Sequence, residues 1–161
     1  MTNKEKLLIL AEQEKTLEFD KFTNYDALLL GKALADKLIE SERPIAIIVR
    51  IGNYQVFSYT MKGKEESHFG WANRKANLVE KIGHSSMYGR IAYMESHEYA
   101  DLVKQEDIYA IGCGGFPIAT KDKGIVGVVA LSGLVDPEDH NVIVETLSEI
   151  IGKRVDLVST L

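Results

Sequence analysis

The sequence predicts a single α/β domain in which a mostly antiparallel sheet lies between helices. Three observations predict this class. Helical periodicity occurs at both ends of the chain, apolar strand-like segments lie between, and Gly52-Asn53 separates two of those segments as a two-residue hairpin turn would. A chain of 161 residues that is 45% hydrophobic can bury one substantial core. Because no repeat, low-complexity stretch or linker interrupts it, we expect residues 1–161 to form one domain.

The first half of the chain predicts two helices and a β-hairpin. Residues 2–5, Thr-Asn-Lys-Glu, have the form of a capping box, which predicts a helix over about residues 3–14. A second helix is expected from about Asn24 to Glu42, because the Arg-Pro dipeptide that follows disfavours helix. Residues 45–51 are almost wholly apolar, as in a strand covered on both faces, and the segment after the turn supplies their hairpin partner.

The second half predicts further helices around a glycine-rich pair of strands. The predicted segments are helices at about 67–86 and 95–104, strands at 111–120 and 124–133, and a C-terminal helix that Gly152 closes. Asp136-Pro137 predicts the start of this last helix, with the aspartate as N-cap and the proline as its first residue.

Composition restricts the classes of partner and the compartment. The net charge of -5, with acids and bases interspersed, argues against nucleic acid or an acidic membrane as partner. The single cysteine, Cys113, cannot form an internal disulfide. No apolar run approaches the roughly 18 residues that span a bilayer, and no signal-peptide pattern stands at the N-terminus. We therefore expect a cytoplasmic protein.

Lys75 is the strongest candidate for a functional residue, because it lies within an apolar helical face. At about 100° per residue, its arc of the helix also contains His68, Trp71, Ala72, Ala76, Val79 and Ile82. A lysine on such a face must extend to solvent, pair with an acid or hold an anionic molecule. Three interpretations remain open at this point: a buried ion pair, a ligand contact, or a subunit interface that includes Trp71.

The glycine-rich stretch at residues 112–118 does not match a nucleotide-binding loop. It lacks the lysine of a phosphate loop and the dinucleotide fingerprint, and it leads to Pro117 rather than to a helix. The glycines therefore either mark bends in a tightly packed sheet or allow the backbone to approach a flat or anionic ligand.

Metal binding and catalysis have little support in the sequence. The four histidines show no paired ligand spacing, so no metal site is predicted. Cys113 fits a small buried thiol better than a nucleophile, because no base stands near it in the sequence. No pair of titratable residues has a spacing that demands acid–base chemistry, and the sequence favours binding over catalysis.

Several of these motifs together resemble one known family. Gly-Gly-Phe-Pro-Ile at residues 114–118, and Gly-Val-Val-Ala-Leu-Ser-Gly at residues 127–133 with acids soon after, resemble the signature of the GlcG/HbpS-like family, whose domain is described as haem-degrading. Residues 45–57 resemble that family's first hairpin, and Lys75-Ala76 its helical Lys-Ala motif. The resemblance covers about residues 24–152 and is greatest with the short, free-standing branch of the family.

The resemblance implies a fold and a class of ligand. The expected fold is a profilin-like three-layer α/β/α sandwich with a mostly antiparallel central sheet, assembled as a homo-oligomer of dimers. The expected function is binding of a small molecule, with haem as a candidate cofactor and no turnover by the protein itself. The residues expected to contact the ligand are Trp71, Lys75, Gly114, Gly115, Phe116, Pro117 and Ser132. The alternative is an assembly or adaptor protein with Lys75 and Trp71 at a subunit interface.

Overall fold

The computed structural model describes residues 1–63 and 65–161, which contain six helices and four strands. In chain order these are α1 (Asn3–Thr16), α2 (Asn24–Leu38), β1 (Ala46–Ile51), β2 (Tyr54–Thr60), α3 (Glu65–Ile82), α4 (Ser86–Ser96), α5 (Ala100–Val103), β3 (Gly115–Thr120), β4 (Gly124–Ser132) and α6 (Glu138–Ile151). The strands form one antiparallel sheet in the order β2-β1-β4-β3. The predicted α/β class with a mostly antiparallel sheet is confirmed.

Helices cover both faces of this sheet and make the structure three-layered. On β1, Ile47 and Val49 belong to the core beneath α2 and α6, as does Ile45 just before the strand, whereas Ala46 and Ile48 belong to the core beneath α3. This division follows from the alternation of side chains along a strand. Short alanine side chains on the second face allow α3 to approach the sheet closely, and this approach positions Lys75.

The predicted hairpin and two predicted helix caps are confirmed. Ile51 pairs with Tyr54 across the turn, where Gly52 adopts a φ of 56°. Thr2 and Glu5 form both hydrogen bonds of the capping box at the start of α1. Gly152 ends α6 in the left-handed conformation that glycine adopts without strain.

Three predicted helix boundaries are wrong. The helix α2 ends at Leu38 rather than at Glu42, four residues before the predicted limit. The helix predicted over 67–86 ends at Ile82, and α4 starts separately behind an N-cap serine, Ser85, whose hydroxyl accepts from Tyr88 N–H. The helix predicted over 95–104 is only the four-residue α5, because His97 and Tyr99 adopt positive φ angles that interrupt helical geometry.

The predicted N-cap of the last helix is also wrong. The structural N-cap of α6 is Pro137, which makes no side-chain capping bond. Asp136 does not cap the helix because its carboxylate is engaged elsewhere, with Arg90 and with the backbone N–H of Cys113.

A buried polar contact attaches α1 to the core of the protein. Gln13 donates from its amide nitrogen to the Asp156 carbonyl (2.6 Å), so its amide oxygen faces the His140 ring and accepts from Nε2 (2.8 Å). His140 is fully buried, and burial lowers its pKa to about 3. The imidazole is therefore neutral at pH 7.

No helix of the described residues is long and apolar enough to cross a membrane.

Candidate functional site

A cleft of about 310 Å³ opens where α3 passes the C-terminal end of β4. We call it the Lys75 cleft. Its lining comes from α3, from α4, from the loop before β3, from the end of β4, from the first turn of α6 and from the segment between these last two elements. The lining residues are His68, Trp71, Lys75, Arg90, Ile111, Gly112, Ser132, Gly133, Leu134, Asp136 and Asp139.

A buried ion pair between Lys75 and Asp139 lies at the base of this cleft. The Lys75 ammonium donates to Asp139 Oδ2 (2.8 Å) and to the Leu131 carbonyl (3.1 Å). The side chain of Lys75 is 5% exposed and that of Asp139 is 2% exposed. The other Asp139 oxygen accepts from the Leu134 N–H at 2.9 Å. The buried ion pair, one of the three interpretations of Lys75 that the sequence left open, is present in the structure.

Burial and pairing act in opposite directions on Asp139. Removal from water raises the pKa of this carboxyl above its usual value, whereas the Lys75 ammonium and the Leu134 N–H lower it. The raising effect is the larger one. The carboxylate therefore depends on Lys75 to remain ionised at this depth.

Two glycines allow the close packing that surrounds this ion pair. A Cβ atom at Gly114, where φ is 115°, would overlap the Leu131 carbonyl oxygen and lie 2.9 Å from Asp139 Cβ. A Cβ at Gly115 would lie 2.8 Å from a Val79 methyl group. Gly115 therefore allows close packing of β3 against α3, and Gly114 allows close packing against β4 and α6. Close packing is one of the two roles that the sequence allowed.

The ligand-contact residues predicted from the sequence separate into two groups. Trp71, Lys75 and Ser132 lie together in the lining of the cleft. The other four, Gly114, Gly115, Phe116 and Pro117, are buried in or beside β3 and are absent from the described lining. Phe116 packs in the core on the opposite side of the sheet, where its ring centroid lies 5.8 Å from that of His140. A ligand contact of any of the seven stays a prediction.

Arg90 and Asp136 form one side of the cleft. The Arg90 guanidinium pairs with one Asp136 oxygen, while the other accepts from Cys113 N–H at 3.2 Å. The Arg90 side chain is 31% exposed, so part of its guanidinium is accessible from the cleft. Sequence reasoning missed Arg90. The available signal was that Arg90 is a lone cation in α4, where its neighbours are mostly apolar or small.

An aromatic side chain forms the rim. Trp71 is 42% exposed, and the guanidinium carbon of Arg74 lies 4.4 Å from its ring centroid. Arg74 also donates to the carbonyls of Gly70 (3.2 Å) and Glu106 (3.0 Å), which fixes its position over the ring. Arg74 thus makes a cation–π contact with the exposed indole.

The lining combines charged, aromatic and hydrogen-bonding side chains. Two cations and two carboxylates face the cleft beside a histidine and an exposed indole, so hydrogen-bond donors and acceptors are both present. In residues 1–63 and 65–161, no three His, Cys, Asp or Glu side chains are grouped to hold a metal ion. Cys113 is buried, and burial raises the pKa of its thiol, which suppresses the reactive thiolate.

A family model described as "Haem degrading protein HbpS-like" matches residues 22–148. The chain belongs to the HbpS-like family. A UPF0303 protein of Streptomyces coelicolor is 35% identical over 146 residues, which cover 89% of this chain and 92% of that protein. A UPF0303 protein of Psychromonas ingrahamii is also 35% identical, over 88% of this chain and 91% of its own length. The suspected family is thereby confirmed.

Solved structures show the same fold at lower identity. The crystal structure of the Ybr137w protein superposes with a TM-score of 0.82 at 24% identity, covering 91% of this chain and 87% of that one. The crystal structure of a PduOC:haem complex superposes with a TM-score of 0.66 at 14% identity, covering 84% and 96%. These similarities establish the fold that surrounds the Lys75 cleft.

Proposed function

We propose that this protein binds a small molecule in the Lys75 cleft, without turnover of its own, and that haem is the first ligand to test. The observation that carries the proposal is the convergence of two ion pairs and an exposed indole on one concave surface. Pockets that combine a few converging polar groups with apolar walls are the usual form of small-molecule sites. The family description and the haem complex of a protein with the same fold support haem as the first choice.

Arg90 is better placed than Lys75 to contact an anionic group of the ligand. The Lys75 ammonium has two short protein contacts and is almost fully buried, so a ligand would have to break an existing pair to reach it. Arg90 is partly exposed, and a guanidinium has five N–H donors. We assign to Lys75 the role of fixing Asp139 and the base of the cleft, and to Arg90 the contact with a carboxylate.

The shape of the cleft limits how a planar ligand can bind. A volume of about 310 Å³ is at the small end of ligand sites, which span roughly 300–1,000 Å³. A haem would therefore place one propionate edge in the cleft and extend its ring along the exposed part of Trp71. Aromatic side chains bind flat, apolar groups of this kind through offset stacking.

A haemin titration followed by Soret absorbance tests this proposal. We expect a saturable shift of the Soret band with the natural sequence and at least tenfold weaker binding in Arg90→Ala, because a charge-assisted contact is lost. Arg154→Ala is the matched control, since Arg154 is exposed in the C-terminal segment outside the cleft. A Soret shift that is absent, or equal in Arg90→Ala and Arg154→Ala, would refute haem binding at this site.

A second candidate function is homo-oligomeric assembly through the rim of the cleft. The observation in its favour is the pair of Trp71 and Arg74 at the surface, because tryptophan and arginine are enriched where interfaces derive most of their binding energy. Light scattering after size exclusion separates the two functions. Dissociation of an oligomer in Trp71→Ala, with haemin binding retained, would favour assembly; an unchanged mass with weakened binding would favour the ligand site.

A further inference from the structure

A second cleft, of about 630 Å³, lies at the other end of β4. We call it the Arg50 cleft. The turn of the β1–β2 hairpin, the first part of β4 and one face of α3 surround it, and its polar side chains include Arg50, Gln55, Asn77 and Glu80. Among the described residues, no residue lines both clefts. Gly127 and Ser132 line different clefts and are five residues apart on one strand, a separation of roughly 17 Å at about 3.3 Å per residue.

The Arg50 side chain is held in a fixed position in this cleft. It extends from β1 towards α3, where Nη2 donates to Asn73 Oδ1 (2.8 Å) and Nη1 donates to Asn77 Oδ1 (2.9 Å). The two asparagines are four residues apart and therefore share one face of the helix. With 15% of the side chain exposed, Arg50 is largely removed from water but still reaches the cleft.

The two asparagines that orient Arg50 do not neutralise its charge, because their amides are neutral. Among the described residues, the carboxylate that pairs with Arg50 is that of Glu80, at 3.4 Å and 44% exposed. By contrast, Lys75 contacts a buried carboxylate at 2.8 Å. A desolvated cation that is pre-positioned by neutral acceptors attracts an additional anionic group more strongly than one that is already paired.

We propose that the Arg50 cleft is a second ligand site, which binds a small molecule through a carboxylate or phosphate group on Arg50. The planar guanidinium presents parallel N–H donors that match the oxygens of either group. In the bound state the anion replaces Glu80 as the charged partner, and the asparagines keep the guanidinium in place. The site is independent of the Lys75 cleft and of haem.

The test is a titration of the protein with inorganic phosphate and, separately, with malonate. The side-chain N–H signals of ¹⁵N-labelled arginine report the binding. We expect a saturable shift of the Arg50 signal with at least one probe, and the tighter probe identifies the anionic group. Arg50→Gln abolishes the response, and Arg90→Ala leaves it unchanged, because Arg90 belongs to the other cleft.

Two substitutions separate a ligand site from a purely structural arginine. Glu80→Gln removes the competing carboxylate and tightens anion binding by roughly three- to tenfold. Asn77→Asp places a carboxylate against Arg50 and weakens anion binding by a similar factor. Lys121→Gln is the control, since this exposed lysine pairs with Asp20 outside the cleft. No saturable Arg50 shift, or equal affinities in the natural sequence and Glu80→Gln, overturns the proposal. If Asn77→Asp fails to fold, the Glu80→Gln result alone tests the proposal, because Glu80 is partly exposed and its substitution should not disturb folding.

Discussion

Removal of Lys75 tests the buried ion pair most severely. In the natural sequence the Asp139 side chain is 2% exposed. In Lys75→Ala its carboxylate keeps the bond from the Leu134 N–H but loses the ammonium at 2.8 Å. A buried charge that loses its partner costs about 3–5 kcal/mol. For a chain of this length that corresponds to a fall in Tm of roughly 6–20 °C. The exposed pair of Lys32 and Asp36 is the comparison, and Lys32→Ala should cost less than about 1 kcal/mol.

The pH dependence of this loss identifies its cause. Without the ammonium, burial raises the pKa of Asp139 further, so the native state binds a proton at a pH where the unfolded state has released it. Stability relative to the natural sequence therefore recovers as the pH falls from 7 to 5. Urea denaturation at pH 7 and pH 5 measures this recovery as a change in the free energy of unfolding. The double variant Lys75→Met with Asp139→Asn should recover part of the stability lost in Lys75→Ala, because it leaves no unpaired buried charge. A cost below about 1 kcal/mol at pH 7, or an equal cost at both pH values, would refute the pairing argument.

Three further predictions follow from buried groups. His140 stays neutral in the native state because its pKa is about 3, so the unfolded state alone gains its proton below about pH 6.5. Stability should therefore fall by about 2 kcal/mol between pH 7 and 5 on account of this group, and urea denaturation of His140→Gln should show a correspondingly smaller pH slope. Gly114→Ala should lower Tm far more than Gly124→Ala, because a Cβ at Gly114 overlaps the Leu131 carbonyl whereas one at Gly124 meets open space; equal shifts by calorimetry would contradict this. Cys113 should react with a thiol reagent only on unfolding, and fast labelling of the folded protein would show that the thiol is accessible.

The sheet and its hairpin could be predicted because their signals are local. A Gly-Asn pair between two apolar runs specifies a turn through a positive φ, which needs no knowledge of the rest of the chain. The capping box of α1 is equally local, since both of its hydrogen bonds join residues three apart. Helix ends elsewhere were harder to predict. The interruptions at His97 and Tyr99 use positive φ angles, which are uncommon for residues other than glycine.

The composition of the cleft could be predicted only in part. Helical periodicity placed Lys75 and Trp71 on one face of α3, and both line the same cleft. The partner of Lys75 comes from residue 139, 64 positions along the chain, and only the tertiary fold brings the two together. For Asp136, by contrast, a local signal led to a wrong prediction. Its position before a proline is typical of an N-cap, but two partners from distant segments, Arg90 and Cys113, engage its carboxylate.

The most direct test of ligand binding in the Lys75 cleft is to locate haemin by its paramagnetic effect on nearby nuclei. The single tryptophan of the chain, Trp71, supplies an indole N–H signal at the rim, and Arg90 supplies a guanidinium signal at the side. We predict that substoichiometric haemin broadens these two signals first and leaves that of Arg50 sharp. Preferential broadening elsewhere, or none at these two residues at saturation, would contradict the proposed site.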